Sequence, residues 1–182
     1  MSNTPPPLTK ALLAFIDGLE DSAIEFGALW SAFTTGYGSA YRRGGSAYVA
    51  ELKRFKQSSD LKRKINELAR RRYVSIQHLG HRFMISLTDK GHTATIISRL
   101  QKARPHHLGW HTVVIFDIPE EMSKSRKQLR ILLKQGGFKR LQQSVWVSEA
   151  DTYNTMVEFI KHNKVTTWVN VYYATKFLYL PR

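Results

Sequence analysis

The sequence predicts an α+β chain of two domains, and three observations carry that reading. Within residues 1–104, apolar positions recur at helical spacing, broken by one stretch that alternates apolar and polar residues. From Trp110 onward an apolar run, an amphipathic helix, a Gly-Gly stop and two short β-rich runs follow one another, then a second helix and a last β-rich run. Between the two halves stands RPHHLG, whose residues 105–109 read as a linker. The expected domains are therefore 1–104 and 110–182.

Taken in order, Leu8 to about Thr35 predicts helix, weakened at Gly18 and Gly27 so that it can divide in two, with Asp21 or Ser22 capping the second piece. GYGSAYRRGGS at 36–46 is glycine-rich and predicts a basic loop. It lacks the Gly-Lys-Ser/Thr ending of a phosphate-cradling loop. Arg42 and Arg43 in it either touch DNA phosphates or sit in a merely flexible segment. Ala47–Lys56 predicts a short helix with Tyr48, Leu52 and Phe55 on one side. Gln57-Ser58-Ser59 is a turn, with Ser59 as N-cap of a helix over Asp60–Arg72. In that helix Leu61, Ile65, Leu68 and Ala69 share one face, while Arg63, Asn66 and Arg70 point the other way with Lys62 on the flank.

Two short helices around a tight turn, the second basic on its outer face, suit a helix-turn-helix. Arg can read guanine and Asn adenine in the major groove; the bland alternative is a solvated helix face. Val74, Ile76, Phe83, Ile85 and Leu87 alternate with polar residues as in a half-buried hairpin, whose tip is Leu79-Gly80-His81-Arg82. A basic hairpin behind a recognition-type helix makes the whole a winged helix-turn-helix. Thr88 then caps a helix to about Ala103.

In the second domain Val113–Phe116 predicts a strand covered on both faces, ended by Asp117 and Pro119. A helix from about Ser123 to Gln135 turns Leu129, Leu132 and Leu133 inward and stops at Gly136-Gly137. Residues 138–142 and 144–148 predict strands. Asp151 caps a helix over Thr152–Lys161, 166–174 is β-rich, and Phe177–Leu180 predicts an edge strand. The order βαββαβ is that of the ferredoxin-like sandwich.

Charge points the same way as layout. Lys and Arg number 28 against 14 Asp and Glu, a formal charge of +14. Within Arg42–Arg72 there are 11 basic residues against Glu51, Asp60 and Glu67. Such a field favours a polyanionic partner, double-stranded DNA above all. The chain has no cysteine, which excludes disulfides, thiolate catalysis and Cys-based zinc sites and fits the cytoplasm. MSNTPPPLTK is not a secretion signal, and no apolar run nears the roughly 20 residues of a membrane span. His81 is a base contact, a ligand or an ordinary turn residue; His106, His107 and His111 lack an acidic or Cys partner at ligand spacing.

WHTVVIFDIPEEMSKSRKQLRILLKQGGFKRLQQSVWV, residues 110–147, resembles the ferredoxin-like domain of the small CRISPR-associated integration-subunit (Cas-two type) proteins. The specific pieces are VIFDIP, the register of the helix holding Arg126, GGF and LQQSVWV. With a winged helix in front, Ala47–Ala174 is similar to repressors of the phenylacetate-catabolon (PaaX) family. That resemblance implies a transcriptional regulator, a repressor, whose ferredoxin-like domain makes a homodimer on a palindromic operator. Arg42, Arg43, Lys62, Arg63, Asn66, Arg70, His81 and Arg82 are then the DNA contacts, with no cofactor, no membrane and no assigned effector. Longer members carry a third, C-terminal domain, which a chain ending at Arg182 is expected to lack. In the CRISPR proteins the aspartate at the end of the first strand is proposed to hold a divalent metal across a dimer interface, and Asp117 stands there. The rival readings are thus a Mg-dependent nuclease using Asp117 and an architectural module of a larger nucleoprotein complex. Against the first, Glu120 and Glu121 lie only on the following turn, and Asp117 suits a structural role. Gln143 and Ser144 read as fold or interface residues.

Overall fold

The computed structural model describes residues 7–19, 23–55, 57–107 and 109–179, with the side chains at positions 7, 39, 40, 43 and 44 outside that description. By packing, the chain forms two units, Met1–Thr95 and Ile96–Arg182.

The first unit runs α1 (Pro7–Asp17), β1 (Ile24–Glu25), α2 (Phe26–Thr35), α3 (Gly38–Leu52), α4 (Ser58–Arg70), β2 (Val74–Leu79), β3 (Arg82–Leu87) and the start of α5 (Asp89–Gln101). The apolar stretch before Thr35 is indeed two helices. Gly18 closes the first, its N–H reaching Ala14 O at 3.1 Å. Gly27 lies inside α2, whose N-cap is Glu25; Asp21 and Ser22 lie outside the described residues. Phe33 is the hub of the core, with the rings of Phe15, Trp30, Tyr37 and Phe55 at 5.3 to 6.1 Å.

Two features of α3 and α4 differ from the sequence pattern. The glycine-rich 36–46 segment is helical from Gly38, and only Gly45, at φ 70° and ψ −164°, breaks the run. Glycine costs about 1 kcal/mol per helical position; α3 as a whole packs along α1, and beyond the Gly45 break it buries Tyr48 and Leu52, while Tyr41 and Arg42 before the break are exposed. The cap of α4 is Gln57, not Ser59: Gln57 holds the extended backbone before the first turn, and the Ser59 hydroxyl lies 3.4 Å from Gln57 Oε1. The buried face is as the spacing predicts, with Leu61, Ile65 and Leu68 fully buried.

β2 and β3 form a hairpin closed by Gly80-His81, with Leu79 opposite Arg82. Gly80 sits at φ 59°, the left-handed conformation that a two-residue turn needs. β1 adds to the far side, giving the order β1-β3-β2. α5 starts as the sequence predicts: the Gly91 N–H donates to Thr88 Oγ1 at 3.2 Å, and the Thr88 hydroxyl donates to Arg72 O at 2.6 Å.

The second unit takes in the end of α5, because Ile96 and Leu100 enter its core. The segment read as a linker lies along the same unit. Pro105 bridges Ala150, the His106 N–H donates to Glu149 O at 2.8 Å, and the His106 ring bonds the Thr112 hydroxyl at 2.9 Å. β4 (His111–Phe116), a 3-10 turn at Glu120–Met122, α6 (Ser123–Gln135), β5 (Lys139–Gln142), β6 (Val145–Ser148), α7 (Tyr153–His162) and β7 (Val169–Ala174) follow. The sheet is antiparallel in the order β5-β6-β4-β7, the ferredoxin-like arrangement. Val114, Phe116 and Trp146 pack with Leu129, Leu132, Leu133, Met156 and Ile160. Thr152, not Asp151, is the N-cap residue of α7; Asp151 instead accepts the Tyr173 hydroxyl at 2.9 Å. Residues 175–179 form no strand, and Leu180 lies outside the described residues. Among the described residues no helix is long and apolar enough to cross a membrane.

Candidate nucleic-acid interface

Because α4 buries one stripe against the first core, its polar stripe is turned outward. Lys62, Arg63, Asn66 and Arg70 are all exposed there and line one shallow groove of about 630 Å³ together with Phe55 and Asp60. Arg63, Asn66 and Arg70 follow one another at i, i+3 and i+7, so three side chains rich in hydrogen-bond donors stand along about two turns. Arg63 Nη2 lies 3.2 Å from Asp60 Oδ1. With the Arg63 side chain 83% exposed, the pair is worth at most about 1 kcal/mol and exchanges readily for another acceptor.

The other charges of α4 are more committed. Lys64 is largely buried and reaches Glu67 at 2.7 Å, while Arg71 takes the other oxygen at 3.3 Å. The bond from Lys64 holds the Glu67 carboxyl below its usual range, against the opposing effect of burial. Lys62 Nζ stands 5.3 Å from the centre of the Phe83 ring in β3, and Phe83 stacks on Phe26 at 4.8 Å. Lys62 therefore joins α4 to the hairpin.

His81 and Arg82 are exposed at the hairpin tip beside an exposed Leu79. Arg42 is exposed on α3, in helix rather than the expected loop. The side chain of Arg43 lies outside the described residues. The structure thus gathers four of the eight candidates on the outer face of α4, two at the hairpin tip and one on α3. Residue-by-residue reading passed over Arg72 and Lys90. Arg72 is exposed in the left-handed conformation at φ 59°. Lys90 donates to Arg71 O at 3.0 Å with its ammonium 4.4 Å from the Tyr73 ring centre. The signal for the first was the Arg70-Arg71-Arg72 run, which counts as bulk charge until the helix end is placed.

Asp117 ends β4, exposed, with its N–H donating to Trp168 O at 2.9 Å. Nearby, Arg126 bonds Glu120 at 2.6 Å. That bond first, with the Asp117 charge as a smaller contribution, holds the guanidinium proton more tightly than usual. Among the described residues no group of three or more His, Cys, Asp or Glu is placed to hold a metal ion. Gln143 and Ser144 form the turn between β5 and β6, where Ser144 O accepts the Phe116 N–H at 3.1 Å. The His111 ring bonds Gly109 O at 2.9 Å and packs against Phe177.

The strand order, the Val114–Phe116 core and the β5–β6 turn define the second unit well enough to compare it. Residues 105–179 match the family model of the PaaX protein central Cas2-like domain. The match covers less than half of the 182 residues and speaks for the Cas2-like unit. No curated protein matches the chain.

Proposed function

We propose that the chain is a sequence-specific DNA-binding transcriptional regulator of the PaaX type, acting as a repressor. PaaX proteins are a family of transcriptional repressors, and the similarity of the Cas2-like domain supports that reading. The observation that carries it is the outer face of α4. Arg63, Asn66 and Arg70 line one groove there, on a helix followed directly by a basic hairpin. In this reading the first unit is a winged helix-turn-helix. α4 lies in the major groove, Lys62 ties it to the wing, and His81, Arg82 and Arg42 engage phosphates or the minor groove. Arg43 belongs to the same set. The Cas2-like domain joins two copies, and two-fold symmetry presents two α4 helices to a palindromic operator. The protein works in the cytoplasm and needs no cofactor.

The test is a fluorescence-anisotropy titration at about 0.15 M salt with duplex DNA from upstream of the protein's own gene and a scrambled duplex of equal length. Specific sites exceed non-specific DNA by about 10³-fold or more. Arg63→Ala or Asn66→Ala should cost about 1–3 kcal/mol on the specific probe and narrow that ratio. Equal affinity for both probes across wild type and variants would refute the recognition-helix assignment.

A further inference from the structure

In the Cas2-like domain, α6 carries five cationic side chains and no acidic one. Two of the five are engaged within the fold: Arg126 with Glu120 at 2.6 Å, and Arg130 over the Phe116 ring at 5.8 Å. The other three, Lys124, Lys127 and Lys134, are exposed, and none forms an ion pair with a carboxylate of the described residues. The contrast with α4 is direct, since there Asp60 and Glu67 take up Arg63, Lys64 and Arg71. On α6 the three lysines stand at i, i+3 and i+10, a stripe about 15 Å long on one side of the helix.

Helix stability does not explain the stripe. Lys124 and Lys127 lie near the N-terminal end of α6, whose first turn holds no acidic residue, and cations there oppose the helix dipole. Like charges three residues apart also repel. Only Lys134, in the last turn, is favourably placed. An arrangement that works against its own helix gains from a partner of opposite charge.

We propose that this face of α6 is a second, sequence-independent contact for duplex DNA, made through backbone phosphates. The inference rests on the DNA-binding reading above. The side-chain chemistry separates the two surfaces. α4 offers Arg and Asn, whose planar donor sets match base edges, whereas α6 offers lysines, compact charges that hold phosphates without reading sequence.

The experiment uses the full chain and a long mixed-sequence duplex, with affinity followed by anisotropy between about 0.05 and 0.2 M salt. Three proteins are compared with wild type: Lys124→Ala/Lys127→Ala/Lys134→Ala, the α4 variant Arg63→Ala/Asn66→Ala, and a control that removes equal charge from exposed positions elsewhere in the domain, Lys161→Ala/Lys164→Asn/Lys176→Asn. Losing three phosphate contacts should flatten the slope of log K against log salt by about 2.7. The α6 variant should show that loss and bind at least tenfold more weakly at low salt, and the control should keep the wild-type slope. An unchanged slope in the α6 variant overturns the proposal and leaves the stripe to an acidic protein or to solvent. An equal loss in the control also overturns it, because bulk charge then suffices. Alanine favours helix, and a Lys→Gln set checks that any loss follows charge rather than folding. Failure of the parent reading shows separately, as an α4 variant that discriminates between operator and scrambled DNA as wild type does.

Discussion

Gly91→Ala is the substitution on which local propensity and tertiary packing disagree most sharply. Gly91 is the third residue of α5, where alanine would gain about 1 kcal/mol in helix propensity. But a Cβ at Gly91 would lie 2.1 Å from Tyr73 O, and 3.2 Å from the Leu87 Cδ2 methyl. The first contact is with backbone, so no rotamer change relieves it. That carbonyl also accepts the Thr88 N–H at 3.1 Å, while the Thr88 hydroxyl, 3.1 Å away, has one proton and lies closer to Arg72 O at 2.6 Å. Moving Tyr73 or α5 by the ångström or so required stretches the N–H bond, worth about 1 kcal/mol. Overpacking against the start of the hairpin adds about 1–3 kcal/mol. Net of the propensity gain, the first unit should lose about 2 kcal/mol, which for a domain of its size lowers Tm by about 8–16 °C. Differential scanning calorimetry of the full chain reads this as a fall in the transition that carries the first unit. A Tm equal to or above wild type would mean that the α5–hairpin junction yields freely, and would refute the packing argument.

Two further outcomes follow from the second unit. Desolvation first, and the bond to Asp151 second, raise the Tyr173 phenol above its ordinary value, so its protonated form is stabilised by folding. The contribution is present below about pH 10, the unfolded value, and is lost as pH rises through the folded one. Ultraviolet titration should show a phenol ionising above about pH 10 that Asp151→Ala brings down; identical titrations of the two proteins refute this. Trp146 buries its Nε1 without a hydrogen-bond partner. Trp146→Phe therefore removes an unsatisfied donor worth about 1–3 kcal/mol along with the packing it loses. Chemical denaturation should show a net cost under about 1.5 kcal/mol, and a loss of 3 kcal/mol or more, typical of a large core truncation, would refute it.

What the sequence made legible was decided by periodicity strong enough to survive tertiary context. The α4 stripe and the alternation of β2 and β3 bury as their spacing demands, because a shifted register would leave several apolar side chains in water, and the unbroken Val113–Phe116 run is covered on both faces. Cap positions were less legible. Ser59 and Asp151 are good cap residues by type, yet α4 and α7 each begin a residue or so away, at Gln57 and Thr152. A cap side chain contributes about 1 kcal/mol, less than seating one apolar side chain in the core, so packing sets the first turn. The helix over Gly38–Gly44 was not legible because its glycines favour a loop by type. β1, only Ile24 and Glu25, is defined by pairing with Ile85 and Met84 and by nothing local. At the site, the exposure of Arg63, Asn66 and Arg70 was readable, whereas the acids that moderate the helix were not. Which cation Asp60 and Glu67 choose depends on rotamers.

In the proposed regulator those acids bear on how strongly a chain of charge +14 would hold DNA of any sequence. Each uncompensated cation at a DNA surface strengthens binding to every sequence alike, so adding charge raises affinity without raising the ratio between operator and bulk DNA. On α4, Asp60 holds Arg63, and Glu67 holds Lys64 and Arg71. A phosphate or a guanine edge must displace the carboxylate to win Arg63, and either can take the guanidinium in a bidentate pair. The intramolecular pair would therefore lower affinity for every sequence alike, restraining the charge of Arg63 while the ratio between operator and bulk DNA is left to the fit at the base edge. On α6 Arg126 is held by Glu120, but Lys124, Lys127 and Lys134 have no carboxylate partner among the described residues, consistent with the proposed phosphate contact. In the proposed regulator, selectivity and hold would thus reside on different helices, the first in the donor geometry of α4 and the second in the unpaired lysines of α6.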